Sequence, residues 1–87
     1  MKVAIIGTGY VGLTTGAALA YIGHEVTCID IDKGKVERLR KGEAPFFEPY
    51  MEELLALCRG RLSFDTSYDS VREAEVVFIA VGTPSKN

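Results

Sequence analysis

Histidine and cysteine are nearly missing from this 87-residue chain. His24 stands alone, and Cys28 and Cys58 lie far apart, with neither a CxxC pair nor metal-ligand spacing. No metal site follows from them, and both read as small buried hydrophobes of a reducing, cytoplasmic protein. Net charge is nearly missing too: at −2 it provides no global field to recruit nucleic acid or an anionic membrane. No window of about 20 residues is apolar enough to span a bilayer. Met1-Lys2, an apolar stretch and Ala18-Leu19-Ala20 imitate a secretory signal, but five glycines interrupt it at turn and packing positions. Internal repeats and low-complexity tracts are absent as well. A chain this short buries only about 60–65% of its unfolded surface, so its core is marginal unless something completes it.

What is present is an alternation of strand and helix signals. Residues 2–6 form an apolar run stopped by glycine, a buried strand. Residues 10–22 are helix-like and nearly free of polar groups, with Gly23 as the stop. Gly12, Gly16 and Ala20 recur every four residues there, a small-residue stripe that lets the helix lie close to the strand. Residues 25–30 are a second strand. Asp32 caps a helix to Lys41, with Val36 and Leu39 inward and Gly42 at the stop. Its cations Lys33, Lys35, Arg38, Arg40 and Lys41 read as a solvated face. Pro49 suits the first turn of a third helix, which places Met51, Leu54, Leu55 and Cys58 at helical spacing before Gly60. Residues 61–65 alternate like an edge strand, with Leu62 and Phe64 on one side. Thr66 or Ser67 caps a short helix through Ala74. Residues 75–81 are a continuous apolar run, which predicts a strand buried on both faces.

This order predicts an α/β fold of the doubly wound type: a parallel sheet with right-handed crossovers and strand order 3-2-1-4. In that order only the short helix over residues 67–74 covers the second face, and strand 4 lies at an open apolar edge. The expectation is therefore that residues 1–87 are the N-terminal part of a longer domain, or that a partner covers the gap.

The glycines carry the chemistry. Gly7, Gly9 and Gly12 form a GxGxxG string between a predicted strand and a predicted helix. Such a string needs its first glycine for a tight turn and its second so that a pyrophosphate can approach the backbone. The third lets helix and strand pack closely. The following helix aims N–H groups and its positive end at phosphates. Asp30 ends the second strand about twenty residues on, where a carboxylate accepts hydrogen bonds from an adenosine ribose and repels a 2′-phosphate. NAD is favoured over NADP. The segment VGTPS leaves strand 4 beside strand 1, so Val81, Gly82 and Thr83 converge with the first two loops on one crevice.

Catalytic candidates are not found. His24 and Cys58 fall at the amino edge of the sheet, Cys28 points into the packing, and Glu52, Glu53, Glu73 and Glu75 read as first-turn or surface charges. No nucleophile has an adjacent base.

The blocks MKVAIIGTGYVGLTTG, CIDIDKGKV, PFFEPYMEELL and VVFIAVGTPS together resemble the N-terminal part of the UDP-glucose/GDP-mannose dehydrogenases, over the whole chain. The likeness is strongest to those members that oxidise UDP-glucose. It implies NAD-dependent four-electron oxidation of a nucleotide sugar's C6 alcohol to a carboxylate, through a thioester on a cysteine, by a homo-oligomer. It places Gly7, Gly9, Tyr10, Val11 and Gly12 around the pyrophosphate, Asp30 and Lys35 on the ribose, and Thr83 beside the cofactor. It also implies that the nucleophilic cysteine and its lysine, asparagine and aspartate helpers lie in a later part, matched by neither Cys28 nor Cys58. Tyr50 departs from the pattern, which has glycine after Glu-Pro. Two other readings stand beside it: a regulatory NAD-binding module of potassium-transport proteins, similar over residues 2–41, and a hydroxyacyl or hydroxyacid dehydrogenase, which shares the first two strands. Neither accounts for the Glu48-Pro49 block.

Overall fold

The computed structural model describes residues 1–45 and 48–80. Four parallel strands, β1 (Lys2–Ile6), β2 (Glu25–Ile29), β3 (Leu62–Asp65) and β4 (Val76–Ile79), stand in the order β3-β2-β1-β4. The expected order 3-2-1-4 is therefore the observed one. Ile5 is the central register point, paired with Cys28 on one side and Phe78 on the other. Cys28 pairs in turn with Phe64.

Alternation along the strands decides what each face meets. Val3 and Ile5, Val26 and Cys28, and Leu62 and Phe64 share one face, and all are buried. Helices α1 (Tyr10–Tyr21), α2 (Lys33–Arg40) and α3 (Met51–Leu57) supply Leu13, Ala17, Val36, Leu39, Met51 and Leu55 to the same core. The small-residue stripe of α1 does what its spacing predicts. A Cβ on Gly16 would stand 2.8 Å from Cys28 Sγ and 3.1 Å from Ile5 Cδ1, closer than packed atoms approach. The helix backbone rests there directly on the side chains of Cys28 and Ile5.

The helix ends are individually fastened. Asp32 Oδ1 accepts from the Lys35 N–H at 3.1 Å, the expected N-cap of α2. At the end of α1, the Arg61 Nε donates to the Ala20 carbonyl at 2.8 Å, setting a cation at the negative end of the helix. Gly23 turns the chain there with φ +116°, in the left-handed region that favours glycine.

The structure differs from the sequence reading in four respects. Pro49 lies in a turn ahead of α3 rather than in its first turn; Tyr50 is the N-cap. The helix expected over residues 67–74 is a short 3-10 helix, Asp69–Glu73, with no buried residue. Its start is set by Ser67, whose Oγ accepts from the Asp69 N–H at 3.0 Å. Five residues of 3-10 turn present no continuous apolar stripe, so the face they cover stays largely open. The strand expected over residues 75–81 spans Val76–Ile79, and it is not buried on both faces: Val77, Phe78 and Ile79 are 39%, 41% and 72% exposed. Its outer edge has no neighbouring strand and its far face has no helix among the described residues. Lastly, the basic face of α2 is only partly solvated. Arg40 Nε donates to the Phe64 carbonyl at 2.9 Å, tying α2 to β3.

Candidate dinucleotide site

The site begins where β1 stops. The Gly7 N–H donates to the Ile29 carbonyl at 2.7 Å, continuing the sheet for one more residue. With φ at 106°, Gly7 then turns the chain sharply toward α1, a conformation that L side chains rarely adopt. Two residues later α1 starts from Gly9, which brings no side-chain cap to the helix end. Gly12 sits in its first turn, and a Cβ there would overlap the Gly7 carbonyl oxygen. Turn and helix are thus locked together by the absence of two side chains.

Gly9 is different. Its φ of −71° and ψ of −168° suit any residue, and a Cβ added there meets nothing within 4 Å. Neither conformation nor internal packing requires glycine at this position. The open space in front of it is the cradle that a Cβ would fill, at the positive end of a helix. Tyr10 and Val11, the first two helical residues, are both exposed beside it.

Asp30 faces this loop from the end of β2. Its backbone N–H donates to the Asp65 carbonyl at 3.0 Å, and its carboxylate is held from three sides. The Thr8 hydroxyl donates to Oδ2 at 2.6 Å, and the Thr8 N–H to the same oxygen at 3.1 Å. The Asp32 N–H donates to Oδ1 at 3.0 Å, and the Lys35 ammonium stands 3.6 Å from Oδ2. Burial pushes this carboxyl upward, but the Thr8 hydroxyl outweighs it together with the two N–H groups and Lys35. The net effect holds the group below its ordinary value, so it is ionised at neutral pH.

Sequence reasoning missed Thr8. It is the only fully buried polar residue in the described core, and it stands between Gly7 and Gly9. The signal was a hydroxyl residue facing, across the sheet end, an acid that needs a donor. Lys35, which the resemblance puts on the ribose, stands with its ammonium 3.6 Å from Asp30 Oδ2. Val81, Gly82 and Thr83 lie outside the described residues.

Cys28, Cys58 and His24 lie away from the glycine loop or beneath the surface. Cys28 is fully buried, and burial pushes its thiol up to about 12, which leaves no nucleophilic thiolate at neutral pH. Cys58 is buried at the opposite end, with Sγ 3.8 Å from the Ala17 carbonyl. His24 precedes β2 at the amino edge. No group of His, Cys, Asp and Glu among the described residues could hold a metal ion. None of their helices is long and apolar enough to cross a membrane. A recess of about 440 Å³ opens along β3, lined by Leu39, Arg40, Arg59 and Phe64 among others, but neither the glycine loop nor Asp30 borders it.

An open cradle at a helix start, with a fixed carboxylate one strand away, suits a dinucleotide's pyrophosphate and ribose. Comparison with known proteins bears on the same residues. The model of the UDP-glucose/GDP-mannose dehydrogenase family, NAD binding domain, matches residues 1–87. The chain belongs to that family. NAD is therefore its cofactor, and the dehydrogenase resemblance in the four sequence blocks stands. Among curated dehydrogenases of this kind, the UDP-glucose 6-dehydrogenase YwqF of Bacillus subtilis is 54% identical over 90 residues, covering 100% of this chain. Among solved structures, a GDP-mannose dehydrogenase ternary complex from Pseudomonas aeruginosa matches 99% of this chain with a TM-score of 0.93 at 42% identity. A UDP-glucose dehydrogenase from Pyrobaculum islandicum matches 98% with a TM-score of 0.91 at 40% identity. This chain spans 20% of the length of each of these dehydrogenases.

Proposed function

We propose that this chain is the N-terminal, cofactor-holding part of a nucleotide-sugar dehydrogenase. Its substrate is UDP-glucose, oxidised at C6 to UDP-glucuronate with reduction of two NAD. The observation that carries the reading is the pairing of Gly9, whose cradle the fold itself leaves empty, with an ionised Asp30 set by the loop between the same two glycines. Curated relatives from Bacillus subtilis and Rhizobium meliloti, 54% and 49% identical, are named as UDP-glucose 6-dehydrogenases, which supports UDP-glucose over GDP-mannose. In this reading Gly7, Gly9, Tyr10, Val11 and Gly12 take the pyrophosphate, and Asp30 and Lys35 take the adenosine ribose. Val81, Gly82 and Thr83, which follow β4 in the chain, complete the crevice. Bound NAD would supply the hydride acceptor. The cysteine nucleophile and its helpers belong to a further part, as does the surface of a homo-oligomer. The open β4 and the one-fifth coverage of the relatives both support a longer protein. Two buried thiols with no disulfide suit a cytoplasmic setting.

The test is the formation of NADH by the protein as expressed from its own coding sequence, offered UDP-glucose or GDP-mannose. Two NADH per UDP-glucose, with little from GDP-mannose, is the expected result. A preference for GDP-mannose would overturn the substrate assignment, and no NADH from any nucleotide sugar would favour a regulatory NAD-binding module.

A further inference from the structure

We infer that Thr8 is a positioning residue that sets the cofactor preference of this site. It does so by saturating one oxygen of Asp30 and turning the other toward the ribose. The inference deepens the proposed function and rests on it. The geometry is specific. A carboxylate oxygen has two lone pairs, and Oδ2 spends both on Thr8, one on its hydroxyl at 2.6 Å and one on its N–H at 3.1 Å. Oδ1 spends one on the Asp32 N–H at 3.0 Å and has one left. The torsion of Asp30 is therefore fixed from the glycine loop, and a single acceptor direction remains for a ribose hydroxyl.

Thr8 is fully buried, and its hydroxyl's partner is the Asp30 carboxylate. Its side chain lies between Gly7 and Gly9, where an apolar residue of the same shape would fill the space equally well. The hydroxyl is the part that has a partner, and that partner is the residue that meets the cofactor. Removing it leaves Oδ2 with the Thr8 N–H and the Lys35 ammonium at 3.6 Å, and loosens the carboxylate's torsion. The remaining N–H holds it less tightly, because a hydrogen bond to a charged group is among the stronger kinds. NAD then loses a prepositioned acceptor. NADP, which the same carboxylate repels, gains or keeps what it had.

The test is titration of NAD and NADP into the protein as expressed from its own coding sequence. It compares wild type with Thr8→Val, Thr8→Ser, Asp30→Ala and the double variant Thr8→Val/Asp30→Ala. Thr8→Val keeps volume and the backbone N–H. It is expected to weaken NAD about tenfold with NADP unchanged or tighter, the size expected for losing one charge-assisted hydrogen bond. Thr8→Ser, which keeps the hydroxyl, should restore wild-type selectivity. In the Asp30→Ala background Thr8→Val should add nothing, since its effect passes through that carboxylate. Unchanged NAD affinity in Thr8→Val, with Asp30→Ala impaired, would overturn the role of Thr8 and leave the NAD site standing. Equal weakening of NAD and NADP, unrescued by serine, would reduce Thr8 to a packing residue. Failure of wild type to bind either nucleotide would overturn the site and this inference together.

Discussion

At the scale of single residues, the three loop glycines divide by what forbids a side chain. Gly7 is required by backbone conformation, Gly12 by the carbonyl oxygen of Gly7, and Gly9 by nothing inside the protein. Gly9→Ala should therefore leave the melting temperature within about 2 °C of wild type, as expected of a substitution that touches no packed atom, while NAD binding falls by more than tenfold. Gly12→Ala should lower the melting temperature first, because it drives the loop and helix apart. Parallel thermal melts and nucleotide titrations of the two variants check this. Asp30 adds a pH dependence. Its carboxyl is lower in the folded chain than in the unfolded one, so its contribution to stability is fully present above the ordinary carboxylate value. That contribution is lost as pH falls through the folded value. Urea midpoints of wild type and Asp30→Asn should differ most near neutrality and converge in acid.

At the scale of elements, the first half of the chain was readable because each segment's local signals agree. β1 joins an apolar run to a glycine stop, α1 a small-residue stripe to Gly23, and α2 an Asp32 cap to Gly42; with β2 they fall within a residue or so of their expected bounds. Asp32→Ala should cost about 1 kcal/mol, the usual effect of losing an N-cap side chain, read from a urea midpoint at unchanged slope. The second half was less readable. Residues 67–74 hold a cap signal and too few apolar positions to sustain an α-helix, and the segment tightens into a 3-10 turn. Pro49 was assigned by a preference for first-turn positions, and the turn ahead of α3 satisfies its fixed φ equally well. The tie between Thr8 and Asp30 joins residues from two strand ends. Only the β1–β2 register brings them together, and no local pattern contains it.

At the scale of the whole molecule, among the described residues three helices cover one face of the sheet over β1, β2 and β3, and the other face is largely open. Leu13 is fully buried under the helical layer, while Ile79 is 72% exposed on the side that only the short 3-10 helix approaches. Apolar composition made residues 75–81 look like an interior strand. Burial depends on what lies outside the strand, which composition does not encode. Leu13→Ala should cost about 3 kcal/mol, as cavity-forming changes in a packed core do. Ile79→Ser should cost under about 1 kcal/mol in residues 1–87 alone. In a longer protein whose added strands cover β4, the same change should cost several-fold more. We propose that Asp30 and the glycine loop together form the NAD site. Calorimetric titration of NAD and NADP into wild type and Asp30→Ala tests it most directly. Heat with NAD, little with NADP and loss of the NAD signal in the variant are predicted. Equal binding of both nucleotides, or an Asp30→Ala variant that binds NAD as wild type does, would contradict it.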